Sequence, residues 1–373
     1  MAPTSVPATV PPAVPGILTS AQAAASAESI ASVQLDSGMI PWFPGGHADP
    51  WNHVEAAMAL DVAGRRSEAE AAYAWLARRQ RPDGAWHQYY VAGPDGADRV
   101  EVDTLDANVC AYVATGVWHH FLVTGDVGFL ESLWAVVDAA VSFVLGLQTR
   151  RGEILWARHA DGTPWSYALL TGSSSICHSL GCALAVARRL GHRRPGWERG
   201  RAKLARTVAG VPGAFAPKDR WAMDWYYPVL AGVVEGHHGR RRLAERWERF
   251  VIPGLGARCV HDRPWVTAAE TAECALAHLA ADDAGRALEL FAWAQGLRAD
   301  DGSYFTGIVL PDRVHFPGDE RATYSAAAVL LAADALSATT PASALFTFDY
   351  GRRSTRSEPV AGASTKPSAR ARR

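Results

Sequence analysis

An all-α toroid, an (α/α)6 barrel with six inner and six outer helices, is the fold that this 373-residue chain predicts. Three observations predict it. Apolar residues recur at helical spacing through most of the length. The helical segments alternate between a kind that is apolar nearly all round and a kind with one charged face. A helix ending that reads Gln, then Gly, then an aromatic residue returns along the chain at irregular intervals.

Taken in order, residues 21–34 form the first amphipathic segment, broken by Asp36, Ser37 and Gly38 before Ile40, Pro41 and Trp42. Asp49-Pro50 is an N-cap followed by proline at the first helical position, so a second helix runs over 51–63 until Gly64 stops it. A helix over 66–80 leads into Gln80, Gly84 and Trp86, and the same ending recurs at Gln148, Gly152 and Trp156 and at Gln295, Gly302 and Tyr304. On this pattern the outer helices are 21–34, 66–80, 127–148, 195–210, 239–252 and 284–297. The inner helices are 51–63, 105–124, 173–190, 225–236, 266–280 and 321–336. The stretch from Ala326 to Ala335 has the uniform apolarity of a helix buried on all sides, whereas Arg240 to Glu248 carries a charged face. Links from inner to outer helices are short and carry glycine, as at Gly64 and Gly125. Links from outer to inner helices are long. They gather at one end of the barrel, the N-terminal ends of the inner helices, where function is expected, and no sheet beyond short hairpins is expected in them.

Composition sets the outer bounds. An apolar fraction of 49% is ample for one core, and a net charge of −1 gives no field to attract nucleic acid or anionic lipid. The five cysteines, Cys110, Cys177, Cys182, Cys259 and Cys274, form no CxxC pair, which argues against a disulfide framework or a thiolate zinc site and fits a reducing cytoplasm. Cys259 and His261 are a lone Cys-x-His, so neither metal nor cofactor is expected. No uninterrupted apolar run reaches the roughly 18 residues of a membrane span. Residues 1–19, rich in proline and without a basic start or apolar stretch, read as a disordered leader. Residues 20–345 read as the barrel, and 346–373 as a disordered basic tail. Nothing in the composition fixes an oligomeric state.

The Gln-Gly-Trp endings, Gln80 to Trp86 above all, resemble the repeat of squalene cyclases and protein prenyltransferases. The pairing of helices with acid-and-aromatic loops is similar to six-hairpin glycosidases, which share the toroid. Residues 40–47, 223–230 and 264–270 resemble a group of actinobacterial proteins generally labelled prenyltransferases, over roughly residues 30–345. The motifs that such terpenoid chemistry would require are missing: there is no Asp-x-Asp-Asp acid and no aspartate-rich magnesium motif, and Asp103-Thr104-Leu105-Asp106 is only a loose echo.

The candidate site residues all fall at the starts of inner helices. Asp49 caps the first, with Trp51 and His53 in its opening turn; Asp106 and Asn108 begin the second. His119 and His120 lie too deep for the mouth. Thr171 to Ser175 is a helix start that would cap normally or hold an anion. Asp224 stands among Trp221, Trp225, Tyr226 and Tyr227, a density of rings that suits a binding cleft. Glu270 follows Trp265 and sits one turn into an apolar helix, with Glu273 three residues on, and Glu320 precedes the last inner helix. The leading expectation is a glycoside hydrolase with catalytic Asp224, Glu270 and Asp106 and with Asp49, Trp51, His53, Asn108, Trp225, Tyr226, Tyr227 and Trp265 around a glycan. The alternatives are an isoprenoid enzyme or polyprenyl-binding toroid, in which the same rings would face a cation or a lipid chain, and a glycan-binding module without catalysis.

Overall fold

The computed structural model describes residues 10–347, and within them thirteen α-helices account for most of the chain. In order these are α1 (Ser20–Ala31), α2 (Pro50–Val62), α3 (Arg66–Arg79), α4 (Ala107–Thr124), α5 (Val127–Gly146), α6 (Leu170–Arg189), α7 (Pro195–Gly210), α8 (Ala222–Leu230), α9 (Gly236–Glu245), the single turn α10 (Trp247–Phe250), α11 (Ala268–Ala280), α12 (Ala284–Ala294) and α13 (Thr323–Ser337). Helices α2, α4, α6, α8, α11 and α13 pack in a closed ring, each against the next and α13 against α2. The others wrap them, so the (α/α)6 toroid expected from the sequence is the fold.

The burial pattern explains the two helix kinds. In α6 every residue from Gly172 to Ala187 is buried, and α13 is buried from Ser325 to Asp334. A helix enclosed by the ring and by its outer partner has no solvent face, so no polar stripe is tolerated. In α3, by contrast, Glu68, Arg78 and Arg79 lie outside a buried stripe of Ala69, Ala72, Tyr73, Trp75 and Leu76.

The Gln-Gly ending is a staple between outer helices. Gln34 Nε2 donates to Gly38 O and to Glu68 O on α3; Gln80 Nε2 donates to Gly84 O and to Val136 O on α5; Gln148 Nε2 donates to Gly152 O and to Gly200 O on α7. The glycine is required twice over. Gly84 has φ +87°, and a Cβ there would lie 2.2 Å from Ala139 O. Gly302, with φ +90°, presses against Ala25 of α1 in the same way, which closes the ring from the last repeat onto the first.

Three expectations change. Beyond the hairpin of β1 (Tyr89–Ala92) and β2 (Asp98–Val102) and the two-stranded pairs of β3 (Leu105–Asp106) with β4 (Ala157–Arg158) and β5 (Val251–Ile252) with β6 (Gly256–Ala257), a three-stranded antiparallel sheet is present. In it β8 (Phe305–Val309) pairs with both β7 (Trp265–Thr267) and β9 (Val314–Arg321). The loop before α11 is thereby hydrogen-bonded to the loop before α13, a long-range pairing that no local pattern announces. Helices α5 and α6 are long and apolar enough to cross a membrane by length and composition, contrary to the expectation from uninterrupted runs, because their mean hydropathy stays high although polar residues, Glu131 and Asp138 in α5 among them, break the run. Both are staves of the barrel. Val14 and Leu18, within the stretch expected to be a free leader, are buried in the core. At the other end a short 3-10 segment, Pro341–Thr347, packs on α13, α4 and α11; the basic tail lies outside the described residues.

Candidate active site

Two of the long loops deliver an aspartate to the start of an inner helix, and the local reason is capping. Asp49 precedes α2, and its Oδ1 accepts from the N–H groups of Trp51 (2.8 Å) and Asn52 (3.0 Å). Its Oδ2 accepts from Trp42 Nε1 and Asn52 Nδ2, both at 2.6 Å. Asp106 repeats the arrangement at α4: Oδ1 accepts from Asn108 N (2.8 Å) and Val109 N (3.1 Å), and Oδ2 accepts from the indole N–H of Trp156. Two neighbouring inner helices thus begin with a buried aspartate held by a tryptophan from a long loop.

Burial dominates the protonation of both. It raises the Asp49 carboxyl above the ordinary range despite its four donors. In Asp106 burial is again the largest cause and the charge of Asp49 adds to it, pushing the carboxyl up to about 6. A carboxyl that titrates near neutrality beside a second one is suited to proton donation.

Glu270 sits across the ring in the first turn of α11, half-buried, and its Oε2 accepts from Thr267 Oγ1. Its charge reaches Tyr324 of α13 and the Cys259 thiol, both of which burial and Glu270 together push upward. Tyr324 stands edge-on to Trp42, with ring centroids 5.1 Å apart, and Trp42 holds Asp49. The mouth is therefore continuous from Glu270 through Tyr324 and Trp42 to Asp49 and then Asp106. Trp51, half-buried and stacked on Tyr112 at 4.7 Å, keeps a buried Nε1 without a protein partner, and so does the Oδ1 of Asn108. Both are polar atoms at helix starts with hydrogen bonds left to make. Trp265 lies half-buried on the β7 strand, stacked on Phe316 at 4.7 Å. Trp42, Trp156 and Tyr324 were missed as site residues, although Trp156 is the aromatic that ends a Gln-Gly repeat.

Other expected site residues turn inward. His53 uses both ring nitrogens on backbone, Nδ1 accepting from Ile40 N and Nε2 donating to Ala72 O, each at 3.0 Å; burial lowers its pKa to about 4, so it is neutral and structural. Trp225 donates to Arg242 O and stacks on Phe250, and it has no exposed surface. Tyr226 and Tyr227 are buried and donate to Glu273. These rings belong to the core because α8 is an inner helix packed between α6 and α11 and is buried without a break from Asp224 to Leu230. Asp224 is the third residue of α8, and its Oδ1 accepts from Thr171 N (3.2 Å) and Thr171 Oγ1 (2.6 Å). The start of α6, expected to cap in the ordinary way or to hold an anion, thus receives the protein's own carboxylate. His119 and His120 are buried beside Asp61, away from the mouth. Among the described residues no three His, Cys, Asp or Glu side chains are grouped as metal ligands.

No family model matches the sequence. A curated relative from Mycolicibacterium hassiacum, the MMP endo-(1,4)-3-O-methyl-alpha-D-mannosidase, is 52% identical over 335 residues, which are 90% of this chain and 91% of the relative. Among solved structures, a wild-type glycosidase superposes with a TM-score of 0.67 at 15% identity, over 86% of this chain and 96% of its own. A rhamnosidase from Klebsiella oxytoca with rhamnose bound gives 0.60 at 14% identity, over 85% and 64%. A D-mannose isomerase also gives 0.60, at 10% identity over 86% and 99%, so likeness at this distance shows the toroid and not the reaction. The glycosidase side of the resemblance is the one these relatives support; the prenyltransferase label is not supported.

Proposed function

Because the chain belongs to the family of the endo-(1,4)-3-O-methyl-α-D-mannosidase and is a glycoside hydrolase, we propose that it cleaves internal α-(1,4) bonds in a chain of 3-O-methylated mannose, with Asp106 as the proton donor and Glu270 as the opposing carboxylate. The observation that carries this assignment is the state of Asp106: a carboxyl buried at the mouth, raised to about 6, whose elevation Asp49 supports from the next helix. Glycosidic cleavage needs one carboxylic acid to protonate the departing oxygen and one carboxylate on the other side of the sugar. Helices α4 and α11 lie opposite each other in the ring, so their first turns present Asp106 and Glu270 from opposite walls. The rings of Trp42, Trp51 and Tyr324 give flat apolar surface to sugar faces and to methyl ethers.

The test is incubation of the purified protein with 3-O-methylmannoside oligomers, unmethylated α-(1,4)-mannosides and a prenyl diphosphate. Release of shorter methylated oligomers is expected. Hydrolysis of neither mannoside would sink the reading.

A further inference from the structure

Beneath the mouth, a second set of acids is buried and has no part in the chemistry above. Glu55 on α2 accepts from Tyr112 Oη of α4 at 3.0 Å. Glu273 on α11 accepts from the hydroxyls of Tyr226 and Tyr227 on α8, the latter at 2.7 Å. Both carboxyls are buried and both line one small cavity of about 20 Å³, enough for a single water, together with Ser175, whose buried Oγ has no protein partner. Beside Tyr112, Tyr227 and His178, its wall is apolar, with Leu276, Ala328, Leu331 and Phe346 among the lining. All six inner helices and the 3-10 segment Pro341–Thr347 converge on this chamber.

The placement of the two glutamates along their helices matters more than their burial. Glu273 follows Glu270 by three residues, so the two share a face one turn apart. Glu55 follows Asp49 by six residues, roughly 9 Å along α2. The groups facing the pair are Tyr112 and, beyond it, Cys182; His178 from α6; Tyr226 and Tyr227 from α8; and Asp49 and Glu270 from above. Among the described residues no lysine or arginine lines the cavity. Two ionised carboxylates in such surroundings repel strongly, whereas one proton between them converts repulsion into attraction.

We propose that Glu55 and Glu273 are positioning residues, which hold one proton between them and so tie α2 to α11, its next neighbour but one in the ring, fixing how far Glu270 stands from Asp49 and Asp106. Glu273 accepts from two tyrosines and is the partner suited to stay ionised, so Glu55 carries the proton. Burial pushes Glu55 far above the ordinary range, with the Glu273 charge second, and raises Glu273 to about 7, burial first. The inference rests on Glu270 belonging to the hydrolytic site.

The experiment compares Glu55→Gln, Glu273→Gln and the parent on methylated mannoside oligomers, with infrared spectroscopy of protonated carboxyl groups between pH 5 and 9. Glu55→Gln reproduces a neutral Glu55 and is expected to keep kcat within about threefold. Glu273→Gln leaves two tyrosine hydroxyls facing one amide oxygen; it is expected to lower kcat at least tenfold with KM changed less than threefold. The parent should show a protonated-carboxyl band at pH 6.5 to 7 that Glu55→Gln diminishes. Equal kcat losses in both variants, unaltered kcat in Glu273→Gln, or a band untouched by Glu55→Gln would each overturn the proposal. The band reads out without turnover, so a parent inactive on mannosides would refute the substrate assignment and leave the shared proton separately tested.

Discussion

Asp224 caps a helix that is not its own. Its carboxylate receives the backbone N–H and the hydroxyl of Thr171, in the first turn of α6, while it belongs to α8. Leu169 at the N-cap position of α6 has no side chain able to accept, so the neighbouring stave supplies the missing acceptor. Asp224→Ala should therefore lower the melting temperature by about 1–2 °C, in line with the ~1 kcal/mol of a lost cap in a chain of this size, and should keep kcat per folded molecule within about threefold. A variant that melts normally but does not turn over would put Asp224 back among the catalytic groups.

Asp106→Asn and Glu270→Gln should each reduce hydrolysis by at least a thousandfold. Asparagine is itself a good N-cap, and Glu270 is half-buried at a helix start, so both variants should melt within a few degrees of the parent. Circular dichroism melts alongside product chromatography check both halves of the statement.

Asp49 raises the Asp106 carboxyl through its charge. Asp49→Asn removes that charge and, as asparagine, preserves the cap at α2. Deprotonation of the donor then occurs at lower pH, so the alkaline limb of kcat/KM should move down the pH scale. An unmoved limb would mean that Asp106 is not the donor or does not feel Asp49.

The buried acids make stability fall with rising pH. Burial holds the proton of the Glu55–Glu273 pair to a pH well above the 4.5 of a free glutamate, so above 4.5 the native state binds more protons than the unfolded one. That stability is fully present below pH 4.5 and is lost as pH rises through the raised titration of the pair. The Asp106 shift, from 3.8 to about 6, acts in the same direction over a lower window. Melting temperatures recorded from pH 5 to 8 should decline, and less steeply in Glu273→Gln; parallel curves would contradict the assigned shift.

Gly84→Ala should be among the more damaging single-methyl changes in the chain. The residue would hold φ +87° with its new Cβ against Ala139 O, combining backbone strain with a clash against an adjacent helix. Gly146→Ala, where the added methyl meets nothing, is the matched control and should leave the melting temperature unchanged or slightly higher. Similar melts for the two would remove the staple from the account of the fold.

The sequence by itself determined the toroid, the order of its inner and outer helices and the end at which the acids gather. Those features rest on local rules: helix periodicity, proline and glycine at helix ends, and aspartates that cap because four N–H groups lie unpaired at each helix start. Asp49 and Asp106 were legible on that basis, and Glu270 as a carboxylate one turn into an apolar helix. The orientation of side chains around each stave was not. Asp224, Trp225, Tyr226 and Tyr227 make one conspicuous run, yet the rings enter the core and the carboxylate turns to Thr171, because that depends on which neighbours the ring brings alongside. Glu55 lies in an apolar stretch that looks like plain core; it meets Glu273 only when α2 and α11, over two hundred residues apart, face the same axis. Tertiary structure decided these pairings because the energy of a buried carboxyl is set by the donors and charges placed within a few ångströms of it, and in a closed ring those come from helices remote in sequence.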